Sequence, residues 1–120
     1  DRYAGESILV HEFGHTLFEM GARTLKRSLD LELDARYQAA MSAGLWQSTY
    51  AATNYREYWA EGVQCWFNAT PRARPANGVH GPVATREDLQ AYDPGLARFI
   101  ANVLGDLAWR WERPGAHALV

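Results

Sequence analysis

Apolar residues recur every three or four positions along the first part of the chain. Between residues 4 and 20 the apolar positions at this spacing are Ile8, Leu9, Phe13 and Leu17. The spacing places them on one face of an α-helix, and we expect this helix to stop near Gly21 because glycine commonly follows a helix end. A second helix is predicted at 29–41, ending near Gly44, with charged residues along a solvated face.

A capping motif marks the start of a third helix. Asn54 is followed three residues later by Glu57 and then by a run of apolar residues, which predicts a helix at 55–67. Prolines and glycines are frequent in the next stretch, 68–85. We therefore expect that stretch to be a loop without regular secondary structure.

Two further capping motifs predict helices near the C-terminus. Thr85 and Asp88 are spaced as a capping box for a short helix, and Asp93-Pro94 begins a last helix that extends to about Trp109. The tail after residue 114 is expected to fray. No two alternating apolar segments are joined by a hairpin turn, so the chain is predicted to be mainly α-helical with little sheet.

The length and charge of the chain narrow the classes of protein. The 120 residues suffice for a single domain, and a net charge of −2 provides no broad basic surface for nucleic acid. No apolar run approaches the length of a membrane span. The single cysteine, Cys65, excludes a disulfide scaffold without identifying the compartment. Asn68, Ala69 and Thr70 form a glycosylation sequon, which would be used only in a secreted eukaryotic protein.

The first predicted helix carries the motif HExxH, formed by His11, Glu12 and His15. Helical residues four apart lie about 40° apart around the axis and about 6 Å along it, so the two imidazoles can converge on one zinc ion. Glu12 is displaced toward the open side of such an ion, where its carboxylate is suited to act as the general base for an activated water. The alternative is a chance match of three residues on an ordinary helix, so a third ligand is needed to decide.

Several residues fail as the third ligand. A metzincin would carry glycine and histidine where this chain has Phe18 and Gly21, which excludes that class. Glu19 lies about 12 Å along the helix from His11, too far for two ligands that bind one zinc at about 2 Å each, and we expect it to be solvated. His80 lies in the predicted loop, where nothing nearby supports it as a ligand.

The better candidates are Glu57 and Glu61, which repeat the four-residue spacing on the third predicted helix. One carboxylate can bind the ion while the other, one turn away, accepts a hydrogen bond from a ligand histidine. The spacing alone leaves open which glutamate does which. The alternative is that both are surface residues of an amphipathic helix, but the apolar Tyr58, Trp59 and Ala60 between them disfavour a fully solvated face.

The segments HEFGHTLFEM and TYAATNYREYWAEGVQCWF together resemble the catalytic core of zinc metallopeptidases of the anthrax lethal factor type, which include bacterial Pro-Pro endopeptidases. The resemblance covers about residues 7–67. It implies a gluzincin, in which His11, His15 and Glu57 hold Zn²⁺ and Glu61 is an outer residue that orients a ligand histidine. The family also places a tyrosine seven residues before its ligand glutamate, which is Tyr50 in this chain.

The resemblance implies a zinc-dependent endopeptidase, secreted, that acts on protein or peptide substrates, with the Tyr50 hydroxyl stabilising the oxyanion. Zincin domains usually bind substrate along an edge strand upstream of the HExxH helix, whereas ten residues precede His11 here. We therefore expect residues 1–120 to be the C-terminal portion of a larger zincin-like catalytic domain whose sheet lies upstream. The rival hypotheses are a non-catalytic zinc-stabilised binding module and a helical domain without metal. A structural zinc site closes four ligands and has no use for Glu12 or Tyr50.

Overall fold

The structure is a computed structural model that describes residues 7–22 and 27–105. In these ranges the α-helices are α1 (Ile8–Thr16), α2 (Ser28–Ser42), α3 (Tyr55–Trp66), α4 (Arg86–Tyr92) and α5 (Pro94–Leu104). A π-helical segment, Leu17–Ala22, continues α1, and a 3-10 turn, Tyr50–Ala52, precedes α3. Neither described range contains a β-strand, so the prediction of a mainly helical chain is confirmed. Nor do the described helices include one that is long and apolar enough to cross a membrane.

Side-chain caps begin the helices at the predicted places. Each capping oxygen accepts a hydrogen bond from the backbone N–H three residues on, which satisfies a donor that the helix itself leaves open. The capping pairs, with their distances, are Asn54 and Glu57 at 2.9 Å, Thr85 and Asp88 at 3.1 Å, and Asp93 and Leu96 at 3.0 Å. The structure adds a fourth cap, in which Ser7 Oγ accepts from Val10 N at 3.1 Å and starts α1.

Two helix ends differ from the prediction. The regular α-helix of α1 ends at Thr16 and continues in π form through Ala22 instead of remaining α-helical to its end. A π turn rotates the side chains that follow it, and Phe18 is buried with its ring centroid 5.3 Å from that of Trp59. Helix α5 ends at Leu104, before the predicted end at 109, because Gly105 adopts a left-handed φ of 74°. The predicted frayed tail lies outside the described residues.

Helix α3 is the centre of the fold. It contacts α1, α2, α4, α5 and the 3-10 turn, and every residue from Tyr58 to Trp66 is buried. A helix surrounded on all sides is expected to be apolar all round, yet Glu61 and Gln64 are among its buried residues. Buried polar groups require hydrogen-bond partners, and both of these side chains contact His11 on α1.

A close contact between α1 and α3 brings the two predicted motifs together. A Cβ atom on Gly14 would lie 3.3 Å from Cβ of Val63, so glycine allows the helices to approach closely. Next to this contact, Trp59 Nε1 donates a hydrogen bond to the carbonyl oxygen of Gly14 at 2.7 Å. The approach sets the histidines of α1 directly against the glutamates of α3.

Candidate metal centre

His11, His15 and Glu57 meet where α1 packs against the first turn of α3. Nε2 of His11 lies 3.2 Å from Nε2 of His15. Oε2 of Glu57 lies 3.1 Å from Nε2 of His11 and 3.2 Å from Nε2 of His15. Ligand atoms around one tetrahedral zinc ion, each bound at about 2.0–2.2 Å, are roughly 3.3–3.6 Å apart. The three side chains therefore have nearly the spacing that a shared ion requires.

The chemistry of these three groups also suits a metal ion. Two imidazole nitrogens that face each other can share only one proton, and an ionised carboxylate contributes none. A single divalent cation accepts a lone pair from all three at once. Imidazole and carboxylate ligands bind zinc but also other divalent transition metals, so the donor set fits a metal site without selecting zinc alone.

The opposite nitrogen of His11 faces the interior of α3. Its Nδ1 lies 3.1 Å from Oε2 of Glu61 and 2.7 Å from Oε1 of Gln64. Glu61 thus contacts the side of the imidazole that points away from the cluster, which is the position the family resemblance implies. Gln64 was missed at the sequence level. Its signal is the spacing of Glu57, Glu61 and Gln64 at four and three residues, which places all three on one helix face.

The electrostatic environment of His11 favours positive charge. Burial by itself lowers the pKa of His11, but hydrogen bonds with Glu61 and Gln64, together with the charges of Glu61 and Glu57, raise it to about 9. The same carboxylates that favour a proton on His11 favour a metal cation at this position. The electrostatic environment of the cluster therefore stabilises a positive charge.

An open cleft of about 280 Å³ lies beside the cluster and is lined in part by Glu12 and Tyr50. Glu12 is exposed, and Tyr50 is 40% exposed with its ring centroid 6.2 Å from that of His11. The charge of Glu57, partial burial and the charge of Glu61 raise the pKa of Tyr50. A tyrosine hydroxyl keeps its proton at neutral pH even without such a shift, so Tyr50 is a hydrogen-bond donor at the cleft.

The loop after α3 forms another wall of this cleft through Val79 and His80. Backbone hydrogen bonds tie the loop to the segment that carries Tyr50: Tyr50 N donates to Val79 O at 2.9 Å, and Gly78 N donates to Ser48 O at 2.7 Å. The side chain of Asn77 holds the turn, because its Oδ1 accepts from the backbone N–H groups of Val79 and His80 at 3.0 and 2.8 Å. The predicted loop is thus ordered by hydrogen bonds without being helical.

The structure also shows the positions of His80 and Glu19, which were rejected as third ligands from the sequence. His80 lies in the cleft but outside the ligand cluster, and its Nδ1 is 3.3 Å from Oγ1 of Thr70. Glu19 lies outside the ligand cluster, as expected, and is partly exposed, and its Oε1 forms an ion pair with Nε of Arg56 at 3.1 Å. The contact was missed since it joins α1's extension to α3.

The sequon side chains have structural partners. Oδ1 of Asn68 accepts a hydrogen bond from the backbone N–H of Arg86 at 3.0 Å, and Thr70 contacts His80. These contacts explain both residues without a glycan. Secretion therefore stays a prediction.

Comparison with family models, curated proteins and solved structures found no match for this chain. The assignment of function accordingly depends on the motifs and on the geometry of the cluster. The resemblance to lethal factor type metallopeptidases remains an interpretation of two sequence segments.

Proposed function

We propose that this chain carries the catalytic centre of a zinc-dependent endopeptidase of the gluzincin type. The observation that carries the proposal is the convergence of His11 Nε2, His15 Nε2 and the Glu57 carboxylate at 3.1–3.2 Å from one another, beside an open cleft. These three side chains would hold the ion. When bound, zinc supplies Lewis acidity, which polarises a substrate carbonyl and makes water a stronger nucleophile at neutral pH.

Glu12 and Tyr50 provide the remaining chemistry from the cleft wall. The carboxylate of Glu12 takes a proton from the attacking water and delivers it to the nitrogen of the leaving amine. The hydroxyl of Tyr50 donates a hydrogen bond to the substrate's carbonyl oxygen as negative charge develops on it. A tyrosine hydroxyl keeps its proton at neutral pH, so this donor is available there.

The openness of the site favours catalysis over a structural zinc module. Among the residues that the structure describes, the ligand cluster has three members, the number typical of catalytic zinc sites, whereas structural sites close four. Glu12 and Tyr50 are both accessible from the cleft. A structural site would bury its surroundings and would not need either residue.

The test is to compare Glu12→Gln with the wild-type protein. We expect zinc near one equivalent per chain in both, measured by elemental analysis, and at least an about hundredfold lower rate of peptide cleavage in the variant, the scale of a lost general base. Glu87→Gln, which removes an exposed carboxylate on α4, is the matched control and should behave as wild type. Cleavage can be followed with a peptide library.

Each other outcome identifies a rival. Zinc binding without any cleavage by the wild-type protein would favour the binding module, and the absence of zinc would favour a helical domain without metal. A Glu12→Gln variant that keeps full activity, or that loses its metal, would contradict the role given to Glu12.

A further inference from the structure

Gln64 is fully buried on α3, with 0% of its surface exposed. Its side-chain nitrogen Nε2 donates hydrogen bonds to the carbonyl oxygens of Ala69 at 3.2 Å and Ser7 at 3.4 Å. A carbonyl oxygen can only accept, so the NH₂ group of the amide must face these two atoms. The amide oxygen Oε1 is therefore the atom that faces His11, at 2.7 Å from Nδ1.

This orientation determines which nitrogen of His11 carries the proton. An amide oxygen only accepts, so Nδ1 of His11 must be the N–H donor. A histidine binds a metal ion in its neutral form, and with the proton on Nδ1 its lone pair is on Nε2, which is the nitrogen that faces His15 and Glu57. The lone pair thus points into the ligand cluster.

Glu61 also contacts Nδ1 of His11, but at the longer distance of 3.1 Å. The carboxylate of Glu61 accepts from Nδ1 and so favours the same proton position. The amide of Gln64 makes the shorter contact, at 2.7 Å, and it can present only its oxygen because both carbonyls that hold its NH₂ group belong to the backbone. Backbone hydrogen bonds from Ala69 N to Gln64 O at 2.7 Å and from Ser7 N to Ala69 O at 2.8 Å hold those carbonyls in place.

We infer that Gln64 is a positioning residue for the metal centre: it fixes the ring orientation and the Nδ1–H tautomer of His11 so that Nε2 binds the ion, and this rests on the metal site of the proposed function. It also links the first residue of the α1 cap, Ser7, to the end of α3. Loss of such an outer hydrogen bond typically weakens metal binding by about ten- to a hundredfold.

The experiment compares Gln64→Met with Gln64→Glu. Methionine keeps the length of the side chain but offers no oxygen to Nδ1 of His11. Glutamate has the same length as glutamine and keeps an oxygen that can accept from Nδ1 of His11. Leu89→Ala, a buried position on α4 away from the ligand cluster, is the control for lost packing. For each variant, zinc affinity is measured by chelator competition and thermal stability is measured on metal-free protein.

We expect the three variants to rank differently in zinc affinity and in stability. Zinc affinity should fall about ten- to a hundredfold in Gln64→Met, recover at least in part in Gln64→Glu, and stay near wild type in Leu89→Ala. Stability should fall in all three, and fall most in Gln64→Glu because of its buried carboxyl group. If zinc affinity is unchanged in Gln64→Met, or follows stability across the series, the inference is overturned.

Failure of the inference can be distinguished from failure of the proposed function because zinc affinity, which tests the inference, is measured without a cleavage assay. The expected rankings in a protein that cleaves no peptide would refute the endopeptidase and retain the role of Gln64. Normal peptide cleavage by the wild-type protein, together with unchanged zinc affinity in Gln64→Met, would refute the role of Gln64 and retain the endopeptidase. A wild-type protein that binds no zinc would refute both.

Discussion

At the scale of single residues, position along one helix separates the roles of two identical side chains. Glu57 and Glu61 lie one turn apart on α3, yet Oε2 of Glu57 is 3.1 Å from Nε2 of His11 and Oε2 of Glu61 is 3.1 Å from Nδ1 of the same ring. Glu57 also reaches His15, with Oε1 at 3.1 Å from Nε2. The first glutamate therefore belongs with the ligand atoms and the second lies behind them.

The two glutamates predict different responses to a chelator. Glu57→Ala leaves two histidines, too few protein ligands for a stable catalytic site, and should release most of its zinc to a mild chelator. Glu61→Ala should retain zinc when the metal is in excess and lose about ten- to a hundredfold in affinity. Chelator titrations of both variants measure this, and the reverse order would show that the ligand has been assigned to the wrong glutamate.

At the scale of structural elements, the loop after α3 supports the 3-10 turn that carries Tyr50. The contact consists of backbone hydrogen bonds from Tyr50 to Val79 and from Gly78 to Ser48. Asn77 in turn holds Val79 and His80 through its side-chain oxygen. Because a proposed oxyanion donor must be held within a fraction of an ångström, the loop should affect turnover although it contributes no ligand.

Asn77→Ala tests this coupling. Losing two hydrogen bonds should loosen the turn and reduce the rate of cleavage about fivefold, equivalent to about 1 kcal/mol of transition-state stabilisation, with zinc content unchanged. Tyr50→Phe removes the proposed donor itself, so its effect should be the larger one, a loss of about 3 kcal/mol of transition-state stabilisation. Asn77→Asp retains the accepting oxygen and should remain near wild type. Equal activity of the alanine and aspartate variants would show that the loop does not position Tyr50.

At the scale of the whole molecule, α3 and the following loop bury a thiol between them. Cys65 is 2% exposed, and its Sγ donates a weak hydrogen bond to the carbonyl oxygen of Val83 at 3.5 Å. Burial, together with the charges of Glu61 and Asp88, raises the pKa of Cys65. The folded protein therefore keeps a proton that the unfolded chain releases above about pH 8.5.

This difference predicts a loss of stability in alkaline solution. Above about pH 8.5 the unfolded state binds fewer protons than the folded state, so the free energy of unfolding should fall by about 1.4 kcal/mol per pH unit from this group. Below that pH the contribution is complete. Cys65→Ala should be less stable at pH 7 but should lack this part of the slope. Denaturant unfolding of metal-free protein from pH 7 to 10 measures it, and parallel slopes for the two proteins would contradict the prediction.

The sequence by itself determined the features that depend on neighbouring residues. The caps at Asn54, Thr85 and Asp93 were predictable because each joins an oxygen to an N–H three residues away. The convergence of His11 and His15 was predictable for a similar reason, since helix geometry alone places residues four apart side by side. The π-helical segment after α1 was not, because the buried contact of Phe18 with Trp59 joins two different helices.

Only the tertiary structure decided how α1 and α3 meet. The contacts of His11 with Glu57, Glu61 and Gln64 join residues 46, 50 and 53 positions apart, and their geometry depends on how closely the helices approach at Gly14. Helical spacing placed the three side chains on one face of α3 without saying which nitrogen each would contact. Those assignments require the distance and rotation between two helices, which arise from side-chain packing and not from local backbone preference.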